Sequence, residues 1–260
     1  MNKGISLYFG FAFDYKERIK MIKEAGFDCV ITNADKNLNK QNGSIRKQIK
    51  EFKKQGLKLS SLHMRYKSQE LKDFFKDTRL GNKLEKNLIK DVKCAHKYGF
   101  NCVVVHLVGE ANEIGYNRLR RVLKLCRKLN VYLAVENVLC LDTFIKTFEN
   151  IDDEYLKFCY DCGHNNCFDP NFDYLEKYGD KLICLHLHDN KGKTDEHTLN
   201  KYGSINWEEL AKKLAKCNEV NLDYEMLLYT RENETPKEVL DECIKQANDL
   251  EKMILKYKDL

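Results

Sequence analysis

Proline is almost absent from this chain: two residues in 260, beside 13 glycines. So little of either leaves no room for long linkers or low-complexity segments. No apolar run approaches the roughly 20 residues that span a bilayer, and residues 1–10 lack the basic-then-apolar layout of a secretory signal. The expectation is a cytoplasmic protein with no membrane partner. A large excess of one charge is also missing, with 45 Lys and Arg against 40 Asp and Glu, a net +5. Much of the positive charge falls as single lysines on helical patterns (KKQ, KDVK, AKKLAK), the usual solvated face. That permits nucleic-acid binding without arguing for it. The eleven cysteines are odd in number and mostly lie inside apolar runs, as Cys29, Cys102 and Cys184 do. They read as small core residues of a reducing compartment. One CxxC exists, Cys159-Tyr-Asp-Cys162. On a strand that odd spacing puts the two sulfurs on opposite faces, where they cannot grip one ion.

What the chain does have is a steady alternation of short apolar runs and amphipathic stretches. Strands are expected at residues 5–9, 27–31, 57–63, 101–107, 131–136, 156–161, from 182 onward, and 222–228. Helices are expected at 14–25, 44–55, 82–98, 113–129, 143–150, 171–178, 207–216 and 234–256, several stopped by glycine. Eight strand–helix units without a break are what a (β/α)₈ TIM barrel needs, and residues 1–260 are its ordinary length. The rival is a doubly wound open sheet, but no Gly-rich phosphate loop follows the first strand. The reading is one α/β domain, a TIM barrel.

In such a barrel the active site lies at the C-terminal ends of the strands. Six of the eight expected strands end on or beside a group able to bind a metal: His63, His106, Glu136, Asp161 with His164, His186 with His188, and Glu225. Five of the chain's seven histidines are in this set, and His197 in the next loop makes six. A single histidine at a strand end is more often structural; the gathering is what reverses the odds. Glu136 and Glu225 lie in apolar strands, where an unpaired carboxylate is costly unless a cation compensates it. No strand end supplies an obvious Lys or Arg for them. Carboxylate with imidazole suits Zn²⁺, Mn²⁺ or Fe²⁺ better than Mg²⁺ or Ca²⁺.

These residues carry a resemblance. His63 in SSLH, His106 in VVVH, Glu136 in VENV, Asp161 and His164 in YDCGH, His186 in HLHDN, Asp195 and His197 in DEH, and Glu225 in YEM resemble the xylose isomerase-like TIM barrel superfamily. That superfamily joins sugar phosphate isomerases and epimerases with endonuclease IV. The motifs recur in order across all but the first two strands. From the epimerase branch the resemblance implies one divalent metal held by Glu136, Asp161, His186 and Glu225. From endonuclease IV it implies three zinc ions, with His63, His106, His164, Asp195 and His197 as further ligands. All nine positions carry suitable residues, so the expected cofactor is Zn²⁺ or Mn²⁺, as one, two or three ions.

The favoured function is a sugar or sugar-phosphate isomerase or epimerase working through a metal-stabilised enediolate, with Glu136 and Glu225 as the acid/base pair. There His164 and His188 would hold substrate oxygens and Lys191 or Lys193 would meet a phosphate. Trp207 and the aromatics of the first loop (Tyr8, Phe9, Phe11, Phe13) would cover the sugar. The alternative is a multi-zinc phosphodiesterase acting on abasic DNA. Arg65-Tyr66 is the only Arg–aromatic pair that fits DNA after the early strands, and the first strand lacks a histidine. A carbohydrate is therefore the expected partner rather than nucleic acid. A homo-oligomer is among the assemblies the sequence allows. A non-catalytic binding barrel is a third reading, against which the intact carboxylate pair speaks.

Overall fold

The computed structural model describes residues 1–34, 43–65, 67–226 and 234–258. Its strands are β1 (Lys3–Ser6), β2 (Cys29–Asn33), β3 (Lys58–His63), β4 (Cys102–Val105), β5 (Tyr132–Glu136), β6 (Leu156–Asp161), β7 (Leu182–His186) and β8 (Leu222–Tyr224). They pair in parallel in chain order, with β8 beside β1. The last gap is bridged by Leu187, whose N–H donates to Asp223 O at 2.8 Å and whose carbonyl accepts from Glu225 N at 3.0 Å. The sheet is thus a nearly closed (β/α)₈ barrel.

Parallel pairing forces the chain to cross back between strands, and helices make the crossings. They are α1 (Tyr15–Glu24), α2 (Ile45–Gln55), α3 (Arg79–Tyr98), α4 (Glu113–Leu129), α5 (Leu141–Asn150), α6 (Cys162–Phe168), α7 (Tyr174–Tyr178), α8 (Trp207–Leu214) and α9 (Pro236–Lys258). Helices α2 and α3 stop at Gly56 and Gly99, whose φ values of 67° and 88° a residue with a side chain rarely adopts. Helix α9 starts from a reciprocal cap, with Glu238 N donating to Thr235 Oγ1 and Thr235 N to Glu238 Oε2. No helix among the described residues is long and apolar enough to cross a membrane.

Two apolar layers result. The larger lies between sheet and helices, where Ile5, Val30, Leu62, Val103, Leu133, Phe158 and Leu185 meet the helical faces. The smaller fills the barrel lumen with Cys102, Val104, Ala134, Cys159 and Cys184. These lumen residues set the site, because side chains alternate along a strand. Val104, Ala134, Cys159 and Cys184 each stand two residues before His106, Glu136, Asp161 and His186. A side chain packed in the lumen therefore aims its neighbour two along at the mouth. Cys29, Cys102 and Cys184 are buried, as small core residues should be. The CxxC sulfurs part company: Cys159 lies in the lumen, and Cys162 donates to His188 O at 3.1 Å.

Several boundaries differ from expectation. Strand β1 is Lys3–Ser6 rather than 5–9; Leu7 still donates to Ile31 O, after which the chain leaves the ladder. Strand β8 ends at Tyr224, and residues 227–228 of the expected run lie outside the described residues. Helix α6 and a 3₁₀ segment, Ser68–Phe75, were not expected. A helix of seven residues is too short for its periodicity to stand out in the sequence.

Candidate metal centre

His63, Glu136, Asp161 and His186 are the last residues of β3, β5, β6 and β7, while His106 and Glu225 come one residue after β4 and β8. The strand ends bring them together at one mouth. Glu136 is the hub and is only 1% exposed. Its Oε2 lies 3.0 Å from His106 Nε2, 3.5 Å from His63 Nε2 and 3.2 Å from His186 Nδ1, and its Oε1 lies 3.2 Å from His164 Nδ1. His186 Nδ1 is also 3.2 Å from Glu225 Oε2.

Ligand-capable groups lie within 4.8 Å of one another in these combinations among the described residues: Glu136, Asp161, His186 and Glu225; His63, His106 and Glu136; and His164, His188, Asp195 and His197. Glu136, Cys159 and His186 make a fourth, overlapping the first. All nine residues expected as ligands fall into the first three groups. A tetrahedral ion with bonds of ~2.0–2.1 Å separates its ligand atoms by about 3.3 Å. The spacings above, 3.0–3.5 Å, match that edge.

Backbone carbonyls fix several ring orientations. His63 Nδ1 lies 3.0 Å from Met64 O, His164 Nδ1 3.0 Å from Asn137 O, and His197 Nδ1 2.7 Å from Glu225 O. A carbonyl only accepts, so Nδ1 carries the proton and Nε2 presents a lone pair inward. Those lone pairs face other acceptors: His63 Nε2 lies 3.0 Å from His106 Nε2, and His164 and His197 Nε2 lie 3.3 and 3.1 Å from Asp195 Oδ2. Glu136 Oε1 and both ring nitrogens of His186 are buried without a hydrogen-bond partner. Converging acceptors need cations between them, so the donor set fits divalent metal.

In the metal-free protein protons stand in for those cations. Burial pushes Glu136 up, but the imidazoles of His106 and His186 outweigh it and hold the carboxyl well below its usual range. Burial pushes His186 down, and Glu225 and Glu136 more than reverse it. His197, opposed by burial, is raised to about 9 by its bond to Asp195, whose own carboxyl is held far below normal by His164 and His197. His106 goes the other way: burial lowers it, despite Glu136.

The expected substrate groups are placed less centrally. His188 is fully buried, its ring stacked on His197 at 3.8 Å and its Nε2 3.0 Å from Asp161 Oδ1. Lys191 and Lys193 are exposed on the loop after β7. The Trp207 indole N–H donates to Asp189 Oδ2 at 2.6 Å, which commits it to the barrel wall. Phe9 is buried, whereas Phe11 and Phe13 continue outward from it, with centroids 5.8 and 6.5 Å apart in turn. Arg65 is held by buried Asp91, with Nε 2.6 Å from Oδ1, and Tyr66 lies outside the described residues.

Two supporting residues escaped the sequence reading. The Asn137 amide exchanges hydrogen bonds with the Asp161 backbone, donating to its O at 2.8 Å and accepting from its N at 2.7 Å. Asp189 accepts from the backbone N of Asn190, Ser204 and Ile205 besides Trp207. Both sit close behind a ligand, in VENV and HLHDN, where a polar residue after an apolar strand was the available signal.

A parallel barrel that gathers carboxylates and imidazoles at the C-terminal ends of its strands defines a class of α/β barrels with a candidate metal centre at the mouth. The xylose isomerase-like TIM barrel family model matches residues 19–243, and the chain belongs to that family. It is similar to an uncharacterised protein, y4fM, of Sinorhizobium fredii, 33% identical over 100 residues, which take in 36% of this chain and 32% of that one. It is also similar to an uncharacterised protein, MJ1614, of Methanocaldococcus jannaschii, 29% identical over 175 residues, 64% of this chain and 65% of that one. The chain thus spans less than two thirds of these curated relatives. Among solved structures, a D-tagatose 3-epimerase-like protein superposes with a TM-score of 0.77 at 18% identity, covering 100% of this chain and 99% of that one. A D-psicose 3-epimerase with D-tagatose from Clostridium cellulolyticum gives 0.76 at 16%, covering 98% and 99%. The IOLI protein with a binding zinc atom gives 0.74 at 13%, covering 99% of each. At these identities the likeness speaks to the fold.

Proposed function

We propose that the chain is a cytoplasmic, divalent-metal-dependent isomerase or epimerase acting on a sugar or sugar phosphate. The observation that carries this is the four-residue group Glu136, Asp161, His186 and Glu225, with two carboxylates meeting at one imidazole nitrogen. The printed functions of the superposing 3-epimerases support the substrate class. A bound Zn²⁺ or Mn²⁺ would supply Lewis acidity to a carbonyl and its neighbouring hydroxyl. The chain's own residues do the rest. Glu136, kept ionised by the imidazoles around it, takes the proton beside the carbonyl. Glu225, the more accessible of the two carboxylates, stands on the other side of His186 and in its protonated form returns one. Exposed Lys191 would meet a phosphate, and Phe11 and Phe13 would cover the sugar.

A second reading, a multi-metal phosphodiesterase, is favoured by one observation. His164, Asp195 and His197 converge although a single-metal isomerase has no need of them. One experiment separates the two. Protein purified without chelator is analysed for metal, then offered a panel of ketoses and a duplex with an abasic site. Ketose turnover that falls at least ~10³-fold in Glu136→Gln and Glu225→Gln supports the isomerase. Strand scission without ketose turnover replaces it with the hydrolase, and neither activity in metal-loaded protein removes both.

A further inference from the structure

Charge is spread unevenly over this barrel. Residues 44–99 hold 16 Lys and Arg against six Asp and Glu, whereas the whole chain is only +5. On α3 the excess is ordered. Arg79, Lys83, Lys86, Lys90, Lys93 and Lys97 follow one another at steps of four and three, and all six are exposed. That alternation keeps them on one face of the helix, opposite buried Leu84, Leu88, Val92 and Ala95. At 1.5 Å per residue the row runs about 27 Å. It also lacks the counter-charges found elsewhere. Among the described residues only Lys83 of the six has an ion pair, with Glu70 at 3.6 Å. Both acids of α3 are engaged by other elements: Glu85 meets Arg118 and Arg121, and Asp91 is buried against Arg65. The preceding crossing, α2, adds exposed Arg46, Lys47, Lys50 and Lys53, again without ion pairs. Helix α9 shows the ordinary arrangement, with each of its five lysines beside an acid. Like charges three and four residues apart weaken a helix, so the row on α3 is a cost the fold carries.

We propose that this face of α3, flanked by α2, binds the phosphate backbone of a nucleic-acid duplex without reading its sequence. The surface lies on the outer helices, apart from the mouth, and does not depend on the sugar chemistry there. Three features choose the occupant. Five of the six cations are lysines, which protein–protein interfaces avoid but which serve phosphates well as point charges. None of the exposed large apolar side chains among the described residues lies on α2 or α3, so the apolar grip of a membrane-surface helix is missing. A straight row of cations suits a polymer whose charges repeat: at 3.4 Å per step along one strand, about 27 Å is the length of about eight base pairs. Contacts of this kind hold a duplex in place and carry no sequence information.

Salt dependence tests this directly. The protein as purified is titrated into a labelled duplex of about 20 base pairs, free of abasic sites, at about 50 to 200 mM salt, and anisotropy is read. Affinity should fall about 10³-fold across that range, a logarithmic slope near about −5 for six phosphates. Lys86→Glu, Lys90→Glu and Lys93→Glu together leave the mouth untouched; they should make the slope shallower by about 3 and weaken binding at least ~10²-fold at low salt. Lys→Gln at the same three positions keeps a good helix former and repeats the comparison if the reversal folds poorly. Reversing Lys245, Lys252 and Lys256 on α9 changes net charge equally and should move affinity by less than about threefold. No binding at low salt, or an equal loss in the α3 and α9 variants, overturns the surface. Anionic lipid vesicles that bind more tightly than the duplex, and lose that binding in the α3 variant, replace nucleic acid with a membrane and overturn it too.

Discussion

Asp223 shows how one buried residue shapes the behaviour of the barrel. It sits in β8, fully buried, where its carboxylate accepts from Ser60 Oγ and, at 3.5 Å, from Cys29 Sγ. Burial pushes its carboxyl up to about 6, against the lowering effect of those bonds. The folded state therefore holds this proton more tightly than the unfolded chain, so the group contributes stability at low pH. That contribution is lost as pH climbs from about 4 through about 6 and amounts to roughly 3 kcal/mol at full ionisation. Asp223→Asn should be more stable than wild type at pH 7–8 by about 1–3 kcal/mol, with the advantage vanishing near pH 4. Urea titrations at several pH values check it; an advantage that grows on acidification removes the assignment. His197 obeys the same sign in a higher pH window. With its pKa raised to about 9 in the metal-free protein, its stabilisation is present below about 6.5 and lost as pH rises through 9. Metal uptake near pH 7.5 should therefore release protons, measurable with an indicator dye in weakly buffered solution, and uptake without release contradicts the ligand role.

Among the elements, the loop after β7 depends most on a single anchor. Asp189 Oδ1 accepts from the backbone N of Asn190, Ser204 and Ile205 at 2.8–3.1 Å, and Oδ2 from Trp207. Asp189 also pairs with Thr198 as an isolated antiparallel bridge. The intervening residues carry Asp195 and His197, so the anchor sets where two expected ligands stand. Asp189→Ala strips several donors at once and should cost about 2–4 kcal/mol. It should also open residues 190–204 to proteolysis. Limited digestion with and without Zn²⁺ reads both effects: protection restored by metal fits a loop tied down at two points, and unchanged cleavage in the variant rules the anchor out. The 3₁₀ segment Ser68–Phe75 is similarly dependent on another element. Arg118 of α4 donates to Phe74 O and to Lys76 O at 2.5 and 2.8 Å. Nothing local in SQELKDFF announces that partner, and so the segment was not legible beforehand.

For the whole molecule, metal and fold should be coupled. The mouth brings Glu136, Asp161, Asp195 and Glu225 together with six imidazoles, an arrangement in which buried carboxylates and rings depend on one another's charge. An ion present at 100 times its dissociation constant adds about 2.7 kcal/mol. For a chain of this size that corresponds to roughly 5–10 °C in Tm. Chelator-treated protein should melt lower by at least that much and recover on adding Zn²⁺ or Mn²⁺; an unchanged Tm would remove the resident ion from the account.

The sequence by itself determined the architecture and the roster of candidate ligands. Eight alternating units and six strand ends with His, Asp or Glu were readable because period-2 and period-3.6 patterns are local, and the barrel follows from their order. Glycines at the ends of α2 and α3 were equally legible, since the backbone there needs a left-handed turn. Tertiary structure alone decided how the roster divides. His186 and His188 share a face by strand parity, yet β7 ends at His186 and the two rings join different groups. Trp207, plausible as a sugar cover, is drawn to Asp189 by a hydrogen bond spanning 18 residues. Which carboxylate meets which imidazole depends on ångström-scale distances between strand ends remote in sequence, and no local pattern encodes those.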